Sequence, residues 1–110
     1  MSEILKQRVA SGITWLDENR PGWLDRIDLD KLDLSSCCRC ILGQEWLDES
    51  PETDPDFAFE EATEAWNSWD GDPHWVFDLG FELYRPSEED YVELMAVWKS
   101  EILRLRAERA

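Results

Sequence analysis

The middle of the chain carries many acidic side chains and no basic ones. Between Arg39 and Arg85 there is neither Lys nor Arg, whereas thirteen Asp and Glu residues lie in that interval. The flanking segments 1–40 and 85–110 are nearly neutral, with seven acids against six bases and six acids against five bases. Because charged carboxylates are rarely buried without a partner, we expect the middle segment to expose its acids and to turn its aromatic side chains inward.

The aromatic content of the chain offsets its charge. A net charge of -15 opposes compaction, since like charges repel one another. Seven Trp, four Phe and two Tyr counter this repulsion, because each buried aromatic side chain removes about 150–250 Å² from water. A chain of 110 residues is long enough for one core and too short for two. We expect one folded domain, residues 1–110, with a strongly charged surface.

Apolar spacing predicts a first helix over about residues 3–18. Leu5, Val9, Ile13 and Leu16 recur three or four residues apart, which places them on one side of a helix. The following segment, 23–36, alternates apolar and acidic residues over too few positions to distinguish short turns from a strand. We favour turns.

Further helices are predicted in the middle of the chain. Apolar residues from Cys38 to Trp46 share one helical face, and Ser35 or Ser36 is available as its N-cap. Two later helices, about 55–69 and 73–79, each begin with an Asp-Pro pair, which is typical of a helix start. Gly80 is suited to end the shorter one.

The C-terminal segment gives the strongest helical signal. Ser87 and Asp90 form a variant of the capping box. The apolar stripe that follows is one helical face; it comprises Tyr91, Leu94, Met95, Trp98, Ile102 and Leu105. The sequence therefore predicts a mainly α, compact single-domain fold. At most one short strand pair is expected, between 81–84 and the ambiguous 27–34 segment.

Three cysteines within the stretch SSCCRCILGQ allow three interpretations. Packing is favoured, with Cys38 and Cys40 as small apolar residues of the core. The spacing of Cys37 and Cys40 also matches half of a zinc site, for which His74 is the chain's single histidine. A redox pair is the third interpretation, although the C-x-x-C motif lacks a βαβ context. We expect no cofactor, and zinc bound by Cys37, Cys40 and His74 is the alternative.

Sequence motifs of catalysis and of membrane insertion are missing. The chain has no phosphate-binding glycine loop and no nucleophile elbow. It has no apolar run of the ~20 residues that a membrane span needs, and no leader-like start. These observations predict a cytoplasmic, non-enzymatic protein that binds neither membranes nor, given its charge, nucleic acid directly.

Several stretches resemble a group of small uncharacterised proteins of actinobacteria and their phages. The likeness rests on GITWLDENRPGWLDRIDLDKLDLSSC, then CILGQ, then AVWKSEI. The matching positions are Trp23, Leu32, Leu34, Cys40, Leu42, Gly43 and Gln44. Cys37 and Cys38 have no counterpart in the pattern. The group has no established activity, so the resemblance implies a context, that of small acidic phage accessory factors which bind a host protein.

The acid-rich segment provides a candidate binding surface. One interpretation is a solvated face, since runs of charge are usually hydrated surface. The other is a surface for a basic host protein, reached by charge attraction, and imitation of the charge of DNA is one form of this interpretation. The partner-binding candidates are Glu60, Glu61, Glu64, Trp66, Trp69, Asp70, Asp72 and Trp75.

Overall fold

Helices account for all the regular structure in the described part of the protein. The computed structural model describes residues 2–36, 38–66, 75–81, 83 and 87–109. The α-helices are α1 (Ser2–Asn19), α2 (Trp23–Arg26), α3 (Ile41–Glu49), α4 (Ala58–Ala65), α5 (Trp75–Asp78) and α6 (Glu88–Arg109). A 3₁₀ turn, Pro55–Phe57, precedes α4. The expected mainly α fold is confirmed, and no strand occurs within these ranges.

The two long helices, α1 and α6, pack side by side and run in the same direction. A methyl group placed on Gly12 would lie 3.1 Å from the ring of Trp98. Further along both helices, Asp17 accepts two hydrogen bonds from Arg109, each 3.0 Å long. The glycine lets the helices approach closely, and the ion pair fixes their ends.

Helix α6 begins and packs as its sequence predicts. The Ser87 backbone N–H donates to Asp90 (2.9 Å), and the Asp90 N–H donates to the Ser87 hydroxyl, which completes the capping box. Four residues of the apolar stripe are buried, namely Leu94, Trp98, Ile102 and Leu105, whereas Tyr91 and Met95 are half-buried. The helix therefore forms one wall of the core.

The segment between α1 and α3 is a series of turns, with only the single helical turn α2. Gly22 precedes α2 with a φ of 88°, a left-handed conformation that glycine adopts without steric cost. The Arg106 guanidinium of α6 donates to the carbonyl oxygens of Leu24 and Ile27. These bonds hold the turns against the long helix.

Two helix boundaries in the middle of the chain differ from the prediction. Helix α3 is capped by Cys40 rather than by Ser35 or Ser36, because the Cys40 sulfur accepts the Gly43 N–H. Asp54 caps the next element as predicted, by accepting the Asp56 N–H, but that element is a 3₁₀ turn. The predicted 55–69 helix is thus a 3₁₀ turn followed by α4.

The last short helix, α5, ends where expected. Gly80 has a φ of 74° and terminates it. Phe81 and Leu83, from the suggested strand, are not extended into a ladder. The expected Asp72 cap lies outside the described residues.

Aromatic rings fill the core. Trp15 contacts Trp75 with ring centroids 5.2 Å apart, and Phe81 stacks on Trp98 at 5.6 Å. Trp23 meets Trp98 edge to face. The Cα radius of gyration is 13.0 Å, which is the compactness expected of about 100 folded residues.

Candidate functional site: an acidic groove beside α4

An open groove of about 650 Å³ lies where α3, the turn after it and α4 meet. We call it the acidic groove. Its lining residues are Trp46, Ser50, Glu52, Thr53, Asp54, Phe57, Glu60, Glu61 and Glu64. All of them belong to the segment without Lys or Arg, so the groove has a single sign of charge.

One wall of the groove is the turn after α3, which is held by hydrogen bonds between residues close together in the chain. The Ser50 N–H donates to the Trp46 carbonyl and ends α3. The Trp46 indole N–H donates to the Thr53 hydroxyl at 3.0 Å, which ties the turn to the helix. Asp54 then caps the 3₁₀ turn that presents Phe57.

The opposite wall is the polar face of α4. Ala58 and Ala62 are completely buried, and their small size lets α4 pack closely against α3. Because residues four apart share a helix face, this packing leaves the glutamates of the other face outside. Glu60, Glu61 and Glu64 are all exposed.

The groove carboxylates lack basic partners, unlike the acids Glu45, Asp48 and Glu49 of the neighbouring helix α3. No Lys, Arg or His among the described residues forms an ion pair with a groove carboxylate. In contrast, Glu45 on α3 is buried, 1% exposed, and accepts hydrogen bonds from both Arg20 and Arg26. The groove thus holds five carboxylates that no basic side chain of the described residues pairs.

Arg20 and Arg26 are the cations that pair with α3, and both are engaged away from the groove. Hydrogen bonding to Glu45 raises the pKa of Arg26, with a smaller contribution from Asp48. Arg20 also binds Glu49 at 3.2 Å and lies over the Trp66 ring at 5.0 Å from its centroid. Neither guanidinium lines the groove.

The tryptophans among the partner-binding candidates lie in different environments. Trp75 is completely buried, so its assignment to a partner-binding surface is wrong, and it belongs to the core instead. Trp66 is half-buried and packs between Trp46 and Trp15 at 5.2 and 6.1 Å. Trp69 lies outside the described residues, as do Asp70 and Asp72.

The structure adds two aromatic side chains to the candidate site. Phe57 is 54% exposed at the edge of the groove, and Trp46 contributes to its floor. The only sequence feature that indicates exposure of Phe57 is its position after Asp54-Pro55, since a residue in the first turn of a capped element has few neighbours. This indication is weak, because an apolar residue in such a turn is buried as often as it is exposed.

The cysteines show a structural role in the described region. Cys40 is buried at the start of α3, where its sulfur accepts the Gly43 N–H at 3.3 Å. Cys38 is half-buried, with its sulfur 3.5 Å from the Ser36 hydroxyl. Across the described ranges no group of three His, Cys, Asp or Glu side chains could hold a metal. Cys37 and His74 of the alternative zinc set lie outside those ranges.

The motif that carried the resemblance is used for packing and for loop fixation. Trp23, Leu32, Leu34, Cys40 and Leu42 are buried. The Gln44 side chain accepts the Asp28 N–H and donates to the carbonyl oxygens of Asp28 and Arg39. These contacts close the 27–40 turns against α3.

Comparison with known proteins gives no relative, since no protein-family model, curated protein or solved structure matches the chain. Of the described helices, none combines the length and the apolar composition that a bilayer span requires.

Proposed function

We propose that this protein is a non-catalytic accessory protein whose acidic groove binds a basic surface of another protein. The observation that carries the proposal is the contrast between paired and unpaired acids. Glu45, Asp48 and Glu49 are matched by arginines, whereas the groove glutamates on α4 have no such partner in the described part of the chain. An external cation would neutralise them.

Besides its negative charge, the groove offers an aromatic surface and hydrogen-bond acceptors that a basic side chain could contact. Lys and Arg carry an apolar stem below the charged group, and the exposed Phe57 ring offers that stem a surface. A guanidinium over an aromatic ring gains further cation–π attraction, as Arg20 already does over Trp66. The rim carboxylates would accept its N–H donors.

The setting that we propose is a host cell in which the protein acts as a phage-type factor. Concentrated negative potential accelerates encounter with a cationic surface. A DNA-binding protein would present such a surface, so imitation of DNA charge is one form of this function. The alternative, a small structural protein stabilised by zinc, gains no support from the Cys40 environment described above.

The test is a pull-down from actinobacterial lysate with the purified protein as bait. The test variant is Glu60→Gln/Glu61→Gln/Glu64→Gln. A matched variant, Glu18→Gln/Asp25→Gln/Asp30→Gln, removes three exposed acids away from the groove and changes the net charge equally. We expect a captured protein to be lost with the groove variant and retained with the matched one.

Added salt should weaken the same capture, because exposed charges are screened beyond about 8 Å at physiological ionic strength. Release of the captured protein by duplex DNA would identify the DNA-imitating form. Equal capture by wild type and both variants would contradict the proposal, and equal loss in both variants would reduce it to non-specific charge attraction.

A further inference from the structure

Arg20 contacts both helices that form the acidic groove, although it does not line the groove itself. It lies directly after α1, and its guanidinium donates to Glu45 at 3.3 Å and to Glu49 at 3.2 Å, both on α3. The same guanidinium lies over the ring of Trp66, 5.0 Å from the centroid. Trp66 ends α4, since its backbone N–H donates to the carbonyl oxygen of Ala62. One side chain from a third element therefore joins α3 to the end of α4.

The contacts continue from Trp66 into the groove. The Trp66 ring meets the Trp46 ring edge to face, with the centroids 5.2 Å apart. Trp46 forms part of the groove floor, and its indole N–H donates to Thr53 in the wall formed by the turn. These residues therefore form one continuous series of contacts that begins at Arg20 and ends in the turn after α3.

Helix α4 depends on packing for its position. It has eight residues, and an isolated helix of fewer than about 12–15 residues is marginal in water. Ala58 and Ala62 are buried along it, but each contributes a single methyl group. At its C-terminal end the much larger ring of Trp66 contacts both Trp46 and Trp15. The position of this ring therefore has a large influence on where the end of α4 lies.

An arginine suits the contact with Trp66 because its guanidinium is planar. The N–H donors lie in that plane, so the group can donate to carboxylates at its edge while its face covers an aromatic ring. The Arg20 side chain is 15% exposed, and removal from water strengthens cation–π attraction. A lysine ammonium would retain the positive charge, but it has no flat face with which to cover the ring.

We propose that Arg20 is a positioning residue for the acidic groove: it holds Trp66 against Trp46 and thereby fixes how far α4 lies from α3. The three glutamates of the groove are carried by α4, so their distance from the acids of the turn depends on this contact. The consequence for binding rests on the proposed function of the groove. The consequence for the two rings does not.

Arg20→Lys tests the geometry without changing the net charge. Its matched control is Arg26→Lys, because Arg26 also pairs with Glu45 but has no cation–π contact in the described part of the chain. We expect Arg20→Lys to weaken the NMR cross-peaks between the Trp46 and Trp66 rings, and Arg26→Lys to leave them as in wild type. Far-UV circular dichroism checks that both variants keep the wild-type helix content.

Wild-type protein supplies a measurement that needs no variant. The ring current of Trp66 should move the Arg20 Nε–H resonance upfield of the Arg26 Nε–H resonance, although both groups donate to the same Glu45. Equal shifts for the two arginines would overturn the proposal, even where a variant fails to fold.

Binding of a short fluorescent polyarginine peptide tests the consequence for the groove. Fluorescence anisotropy gives the factor by which Glu60→Gln/Glu61→Gln/Glu64→Gln lowers the affinity in each background. We expect at least about tenfold in wild type and in Arg26→Lys, and about threefold or less in Arg20→Lys, because misplaced glutamates contribute less to binding. Since both lysine variants keep the net charge, a difference between them reports position and not charge.

The outcomes separate this role from the proposed function. If the glutamine variant binds the peptide as tightly as wild type does, the proposed function is wrong, and the ring cross-peaks alone decide whether Arg20 fixes the two helices. If the glutamine substitutions lower the affinity equally in wild type and in Arg20→Lys, or if both lysine variants weaken the ring cross-peaks equally, Arg20 is not a positioning residue.

Discussion

At the scale of single residues, Gly12 decides how closely α1 can pack. A methyl group there would overlap the Leu79 carbonyl oxygen and contact the Trp98 ring. We expect Gly12→Ala to destabilise the protein by about 1–3 kcal/mol, although alanine favours a helix by about 1 kcal/mol relative to glycine. Urea denaturation measures the change. The control Ser11→Ala, on the exposed side of α1, should have a free energy of unfolding within about 0.5 kcal/mol of wild type. If Gly12→Ala is instead more stable than wild type, α1 can move outward to make room for the methyl group.

Glu45 is the second residue whose role depends on a tertiary contact. It is buried and pairs with two guanidinium groups, so Glu45→Gln leaves them only the exposed carboxylates of Asp48 and Glu49. Removing one partner of a buried pair costs about 3–5 kcal/mol, and we expect about 2–3 kcal/mol here because Arg20 and Arg26 retain some contact with water. Chemical denaturation should show a much smaller decrease in the free energy of unfolding for Glu49→Gln, since Glu49 is an exposed partner of the same Arg20. Equal decreases for the two variants would mean that the burial of Glu45 does not matter.

At the scale of elements, the ion pair between Asp17 and Arg109 links the ends of α1 and α6. The hydrogen bonds from Arg109 lower the pKa of Asp17 from 3.8, the Trp23 indole adds to this effect, and burial opposes it. Because the folded-state pKa is depressed, the pair stabilises the protein above about pH 4 and is lost as pH falls through the lower, folded-state value. Asp17→Asn should therefore be less stable than wild type near neutral pH.

The difference between Asp17→Asn and wild type should narrow as the pH falls below about 4, where the unfolded chain begins to protonate Asp17, and should disappear only below the depressed folded-state pKa, where Asp17 is neutral in both states. Urea midpoints measured across this range test the expectation. Glu18→Gln, an exposed neighbour, supplies the baseline, and a pH-independent difference for Asp17→Asn would exclude the ion pair as the cause.

At the scale of the whole molecule, unpaired acids should limit stability. With a net charge of -15, repulsion between the groove carboxylates and the other surface acids opposes folding. We expect about 0.5 M NaCl to raise stability by about 0.5–1 kcal/mol, or several degrees in Tm, by screening this repulsion. Thermal unfolding followed by circular dichroism checks this. A lower Tm in salt would mean that the arginine ion pairs outweigh the repulsion.

Features that depend on residues close together in the chain could be predicted from the sequence. The periodicity of α1 and α6, the Ser87–Asp90 capping box, the Asp54 cap and the Gly80 stop depend on residues close together in the chain, and the structure contains each of them. The segregation of charge was also set by sequence alone, because no folding can supply a basic residue to the 40–84 segment. These features give the helical class and the acidic character.

Tertiary packing decided the rest. Trp66 and Trp75 both lie in the acid-rich segment, yet only Trp75 is completely buried, with Trp15 of the distant α1 and the nearby Phe81 packed against it. Glu45 pairs with Arg26 and Arg20, which are 19 and 25 positions away in the chain. Capping of α3 by the Cys40 sulfur depends on where the preceding turns end and the helix begins. The sequence determined which residues must face water or apolar surroundings; only the assembled helices determined which of the tryptophans the core had room to bury.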